Sequence, residues 1–311
     1  MFSPVLVLAV VAVGTVPGAA ALASARWPYR SPAAAILLWQ ALGLSWGLAA
    51  VGALAGLGAQ PARWGVAGGA LTGTADALRE AALGASPVAA IARLAFLAAG
   101  GALLALLCWV LLAASATVLM ARRRHRMLLR LLAHGDPKVP GALVVDSPAA
   151  AAYCVPGLRS QIVVSVGTLD LLDAAELAAV LAHERAHLRA RHDLVLLPFS
   201  ALGRAFPRSR LVRRAQATVA LLVEMLADDQ ALRHRPAREL ATALLRVGAS
   251  GAGRTPSGAL AAVPAPDGET AARVARLLAP SPRLSPPVLA MVCTAAAVLV
   301  AVPVALLLLP L

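Results

Sequence analysis

His183, Glu184 and His187 stand together in the run HERAH, the HExxH spacing. On a helix, positions i and i+4 share a face, so two imidazoles spaced this way can grip one metal ion. The glutamate between them is placed to take a proton from water beside that ion, the arrangement of a zinc peptidase. With 6 His and 6 Glu in 311 residues, roughly 0.002 such runs are expected by chance, so accident is a poor explanation. The bland alternative is a surface helix with two solvated histidines.

A catalytic zinc normally takes three protein ligands and keeps one position open. Two residues compete for the third place. Asp193 stands where HExxHxxGxxH/D proteins put theirs, but Ala190 occupies the position where that pattern needs glycine to turn the chain. Glu224, within VEMLADDQA, is the other candidate, with Asp228 four residues later on the same helical face. Carboxylates inside an apolar run need a reason to be there. We therefore take His183, His187 and Glu224 as ligands of one Zn²⁺ per chain, and Glu184 as the catalytic base. Asp228 then accepts a hydrogen bond from a ligand imidazole and fixes its orientation. The competing reading makes Glu224, Asp228 and Asp229 a solvated acidic face paired with Arg213, Arg214 or Arg233. For an oxyanion donor, His234 and Tyr153 are weak candidates. His192 is either a support for the site or a helix-end cation. His125 and His134, in a basic stretch, need no role.

The elements around these residues are mostly apolar. The chain is 60% hydrophobic, with a mean hydropathy of +0.78 and 14% charged residues, far from an ordinary soluble composition. Four stretches, 1–24, 33–58, 88–120 and 285–311, reach the ~20 residues that cross a bilayer as a helix. The first lacks the basic start of a signal peptide and reads as a retained span. The net charge of +13 is almost all arginine, with Lys138 the one lysine. The arginines flank the spans, which suits lipid headgroups and topology, and no direct nucleic-acid contact is expected. Arg26 and Arg30 follow the first span, and Arg122, Arg123, Arg124, Arg126 and Arg130 follow the third. In the 59–87 loop Asp76 and Glu80 offset Arg63 and Arg79. The positive-inside rule then puts both termini outside a bacterial plasma membrane and residues 121–284 in the cytosol. Trp27, Tyr29, Trp39 and Trp64 suit an aromatic belt. Cys108, Cys154 and Cys293 show no paired spacing, and Cys154 reads as a buried small hydrophobe.

Within 121–284 the pattern predicts a basic helix over 122–133, ended by Gly135, Asp136 and Pro137. Short strands follow at 143–145, 152–155 and 162–166. Asp173 and Glu176 form a capping box for a helix over 174–191 that carries HERAH in its last turns. The strand leading into that helix suits a zincin, in which an edge strand beside the metal pairs with extended substrate. A further helix is expected over 215–232. The apolar stretch 194–206, interrupted by Pro198, is expected to lie against the bilayer or to form core; Arg204 near its end, and Arg208, Arg210, Arg213 and Arg214 after it, favour the bilayer. The loop 59–87 is expected to hold an amphipathic helix over 74–83. Residues 249–268 read as a Gly/Pro/Ala/Ser linker.

HERAH followed by ExxxD resembles the gluzincin-type membrane peptidases. The run Tyr153-Cys154-Val155-Pro156-Gly157, then Ile162-Val163-Val164-Ser165, then LDAAELAAVLAHE, is similar to the BlaR/MecR-type antirepressor metallopeptidases. Three spans, a cytosolic peptidase domain and a fourth span match their order. The resemblance implies an integral membrane protein, mainly α: four transmembrane helices plus a cytosolic α+β zincin-like peptidase domain with a small β-sheet. It implies a zinc endopeptidase cleaving a cytosolic protein, such as a winged-helix repressor or the chain itself, in signal transduction. β-Lactam-sensing members carry a penicillin-binding domain after the fourth span. None stands before Leu311, so a form without that sensor is expected. HtpX-like quality-control peptidases are the sibling reading, and a catalytically inactive signalling scaffold is the rival of another class.

Overall fold

The structure, a computed structural model, describes residues 3–59, 65–82, 86–157, 160–250, 267–279 and 282–309. Arg63, Trp64, Leu83 and residues 251–266 of the expected linker lie outside the described residues. Two compact units divide the chain. One holds 1–111, 201–215 and 284–311, and the other holds 112–200 and 216–283.

The first unit is built from apolar helices: α1 (Pro4–Ser24), α2 (Pro32–Gly58), α3 (Gly65–Ala82), the first part of α4 (Pro87–Leu132), and α11 (Pro286–Leu308). Among the described residues, α1, α2, α4 and α11 are long and apolar enough to cross a membrane. Leu8, Ala12, Ala49, Ala53 and Val66 form their shared core. Gly52 and Gly56 sit where a Cβ would meet Leu307, Leu8 and Val5, the close helix approach that small residues at i, i+4 permit. Trp39, expected in an aromatic belt, is instead 2% exposed inside α2. Residues 201–215 cluster with this unit, where the Phe206 ring meets Trp46 edge-on at 5.5 Å.

The basic helix expected over 122–133 is not a separate element. It continues α4, which runs 46 residues without a break. The composition changes sharply at Arg122, but no Gly or Pro stands between 102 and 134 to stop the backbone. The next three residues form an unforeseen strand, β1 (Ala133–Gly135). With β2 (Ala142–Val145), β3 (Ala152–Val155) and β4 (Gln161–Ser165) it makes a sheet ordered β1-β2-β4-β3. β2 and β4 run parallel, and the outer pairings are antiparallel. The strand nearest in sequence to the HERAH helix is β4, and it is interior, paired on both sides. The expectation of an edge strand there is therefore corrected: the edges are β1 and β3, and β4 lies between β2 and β3.

The sheet alternates with period two. Val144, Cys154, Ile162 and Val164 face one core with Leu177, Val180 and Leu181 of α6 (Ala174–Arg189). Tyr153, Val155 and Val163 face the other, under Leu129 of α4. A short α5 (Val166–Leu171) joins β4 to α6. The chain continues through α7 (His192–Ala205), α8 (Arg210–Ala231), α9 (Ala237–Ala249) and α10 (Asp267–Leu278). Ala179, Ala231, Leu240, Ala241, Val274 and Leu277 lock α6, α8, α9 and α10 into one core. Each fully buried leucine or valine there contributes about 1.5–3 kcal/mol.

Gly167 opens α5 at a point of close approach, its N–H donating to the Ser147 carbonyl. A Cβ there would overlap the Pro148 carbonyl oxygen, which is backbone and cannot swing aside. Gly167→Ala should cost about 1–3 kcal/mol through forced backbone shifts. A lowered thermal unfolding midpoint of the purified chain checks this, and an unchanged midpoint would contradict it.

Candidate metal centre

The HERAH helix starts where its capping box puts it. The Asp173 carboxylate accepts from the N–H groups of Ala175 and Glu176, and Asp173 N–H donates back to Glu176. Arg246 of α9 donates to the same Glu176 at 3.0 Å, so the helix start is tied to its neighbour. Such a cap contributes about 1 kcal/mol. The helix ends at Ala190 with φ −84°, and the chain reverses at Arg191, whose φ is +50°. A glycine-free turn is thus achieved one residue later than the HExxHxxGxxH/D pattern requires.

One helical turn apart, His183 and His187 bring their Nε2 atoms within 3.0 Å. From α8, Glu224 places Oε2 3.3 Å from His183 Nε2 and Oε1 3.5 Å from His187 Nε2. One donor atom from each of the three lies within 4.8 Å of the others, a set that could hold a metal ion. Tetrahedral zinc with bonds of about 2.0–2.1 Å needs donors about 3.3 Å apart, which these separations approximate. Asp228, one turn beyond Glu224, stands with Oδ1 2.9 Å from His183 Nδ1. His187 has a different support: its Nδ1 faces His192 Nδ1 at 3.0 Å. One of those two nitrogens must carry the hydrogen.

Charge points the same way as geometry. Glu184 and Asp228 are 2% and 1% exposed, and Glu224 is half-buried, its side chain 17% exposed. Against these three carboxylates stands one buried guanidinium, Arg273, and the excess negative charge, which a proton on His183 offsets only in part, is of the sign a divalent cation would neutralise. Burial works against a charged His183, but Asp228 and Glu224 outweigh it and push its pKa up to about 10. Burial would raise Glu224 too, yet the His187 and Arg273 charges hold it well below the usual carboxylate range. Glu184 moves the other way, raised chiefly by burial, with Oε2 unpartnered. The Cys154 thiol of β3 lies against its carboxylate.

The structure thus brings His183, Glu184, His187, Glu224 and Asp228 together, and leaves other candidates aside. Asp193 accepts an ion pair from Arg122 at 3.0 Å and takes no place among the clustered donors. Tyr153 points to the opposite sheet face, its hydroxyl 2.9 Å from His125 Nε2, so it is no oxyanion donor. His234 is exposed in the turn after α8. His192 is fully enclosed rather than a solvated helix-end cation, and burial holds it neutral, lowering its pKa to about 3. Sequence reasoning missed Arg273 altogether. It lies on a helix that follows the expected linker, and its partners stand 45 and 49 residues upstream.

Residues 119–233 match the family model of Peptidase family M48. Comparison with curated proteins and with solved structures gives no match. The matched segment runs from the end of α4 to the turn after α8 and contains both histidines, Glu184, Glu224 and Asp228. It supports a metallopeptidase function for this part of the chain, and the donor triad is consistent with the metal such peptidases use. It ends before α9 and α10.

The Asp228 and Glu224 carboxylates raise the proton affinity of His183 against its burial, so a metal that binds its ring must displace a proton. Zinc affinity should therefore rise with pH through the neutral range, with release of about one proton per ion. Titration calorimetry in buffers of different ionisation enthalpy reads this directly. Binding without proton release would contradict the site as described.

Proposed function

We propose that the chain is a membrane-anchored zinc endopeptidase whose metal is held by His183, His187 and Glu224. The observation that carries the reading is the convergence of these three donors around Glu184 within a segment matched by a peptidase family model. The four apolar helices support membrane association, and the arginine distribution supports a cytosolic peptidase domain with both termini outside.

Zinc, when bound, supplies Lewis acidity, polarising the scissile carbonyl and acidifying water. Nε2 of His183 and Nε2 of His187 bind. Asp228 keeps the hydrogen of His183 on Nδ1 and so frees Nε2. His192 accepts from Nδ1 of His187 and does the same for that ring. Glu184 takes a proton from the attacking water on Oε2 and delivers it to the leaving amine. Its raised proton affinity suits a base that must hold that proton in mid-reaction. The target, on the resemblance to antirepressor peptidases, is a cytosolic regulator such as a winged-helix repressor, or the chain itself.

Purified full-length protein loaded with zinc should cleave an unstructured protein such as casein. Glu184→Gln should retain the zinc and lose at least about 10²-fold in rate. Wild-type rates in Glu184→Gln, or loss of its metal, would contradict the assigned role. In cells, comparison of deletion and parent proteomes should show one stabilised cytosolic regulator. Accumulation of many membrane-protein fragments would instead favour quality control.

A further inference from the structure

Arg273 is a buried cation on α10, outside the segment matched by the peptidase family. A buried guanidinium persists only where its charge is compensated and its donors are engaged. Nε and Nη2 donate as a fork to Asp228 Oδ2 and Oδ1, at 2.9 and 2.7 Å. Nη1 makes an ion pair with Glu224 Oε2 at 3.0 Å. The Asp228 oxygen that receives Nη2 is also the one 2.9 Å from His183 Nδ1. One side chain therefore touches Glu224 directly and His183 through a single intermediary.

We propose that Arg273 is a positioning residue of the metal centre: its planar fork fixes Glu224 and Asp228, and through Asp228 the ring of His183, so that the donors stand ready for one divalent cation. This rests on the metal reading above. The helix that carries Arg273 is itself fixed, since Val274 and Leu277 enter the core shared by α6, α8 and α9. Lysine would not serve. It is a point charge, and it cannot meet both oxygens of Asp228 and one of Glu224 in one plane. Charge alone would act in the opposite sense. A cation next to the site repels the metal, so if Arg273 were only a charge its removal would tighten binding. Positioning and repulsion thus predict opposite signs.

The test uses the full chain in detergent, with zinc affinity from chelator competition and the visible spectrum of the cobalt(II) form as a report of ligand geometry. Arg273→Lys and Arg273→Gln should both weaken zinc binding, by about 10- to 100-fold, and alter the cobalt spectrum. Arg276→Gln serves as control. It removes the ion pair to Asp229 at 2.8 Å between the same two helices, away from the metal donors, and should leave both readings at wild-type values. Should Arg273→Gln not fold, Arg273→Lys, which keeps the buried charge, carries the comparison. Unchanged or tighter zinc binding in the Arg273 variants would overturn the proposal. Equal weakening in Arg276→Gln would do so too, since the effect would then be one of helix docking. A wild-type chain that binds no zinc would overturn the metal reading along with it, a result distinct from unchanged affinity in the variants.

Discussion

Two imidazole nitrogens 3.0 Å apart, with carboxylate oxygens 3.3 and 3.5 Å from them, crowd lone pairs into a space nearly closed to water. Such an arrangement is stable only around shared positive charge. A proton can serve one pair of these atoms, whereas a divalent cation serves all three donors at once. The buried charge count, with three carboxylates against one guanidinium and one protonated imidazole, points the same way. The rest of this unit exists to hold that crowd together. α6 supplies both rings from one face, α8 supplies both carboxylates from one face, and α10 supplies the guanidinium that grips the carboxylates.

The sheet contributes indirectly. Its two faces alternate so cleanly that one side packs on α6 while the other receives Leu129, and Cys154 reaches the side of Glu184. The two imidazoles have unlike supports, a carboxylate behind His183 and a neutral ring behind His187. Arg273, shared between Asp228 and Glu224, makes the first of these supports rigid.

What the sequence displayed best was local. His183 and His187 are one turn apart, so helical periodicity alone places them together. The capping box at Asp173 and Glu176 is equally local. Glu224 and Asp228 stood out because carboxylates rarely interrupt an apolar run without partners. The β-branched run at 162–164 marked β4, yet its interior position depends on pairings to β2 and β3 that no short window contains. A composition change at Arg122 suggested a helix boundary, but backbone continuity follows from the absence of breakers, and α4 runs through it. Arg273 was hidden for two reasons. In a chain with 28 basic residues, an arginine on an amphipathic helix reads as one more solvated charge. Its carboxylate partners lie on another helix, far upstream. His192 was hidden because a turn at Arg191 folds it back on the residue five positions earlier.

The central claim, that two imidazoles and a distant glutamate share one cation, is tested most directly by X-ray absorption at the zinc edge of the purified, zinc-loaded chain. The account predicts a shell of nitrogen and oxygen donors at about 2.0–2.1 Å, with the outer scattering of two imidazole rings, and loss of that signal in His187→Ala. A sulfur donor in the shell, a single imidazole, or a spectrum unchanged by Glu224→Ala would contradict it.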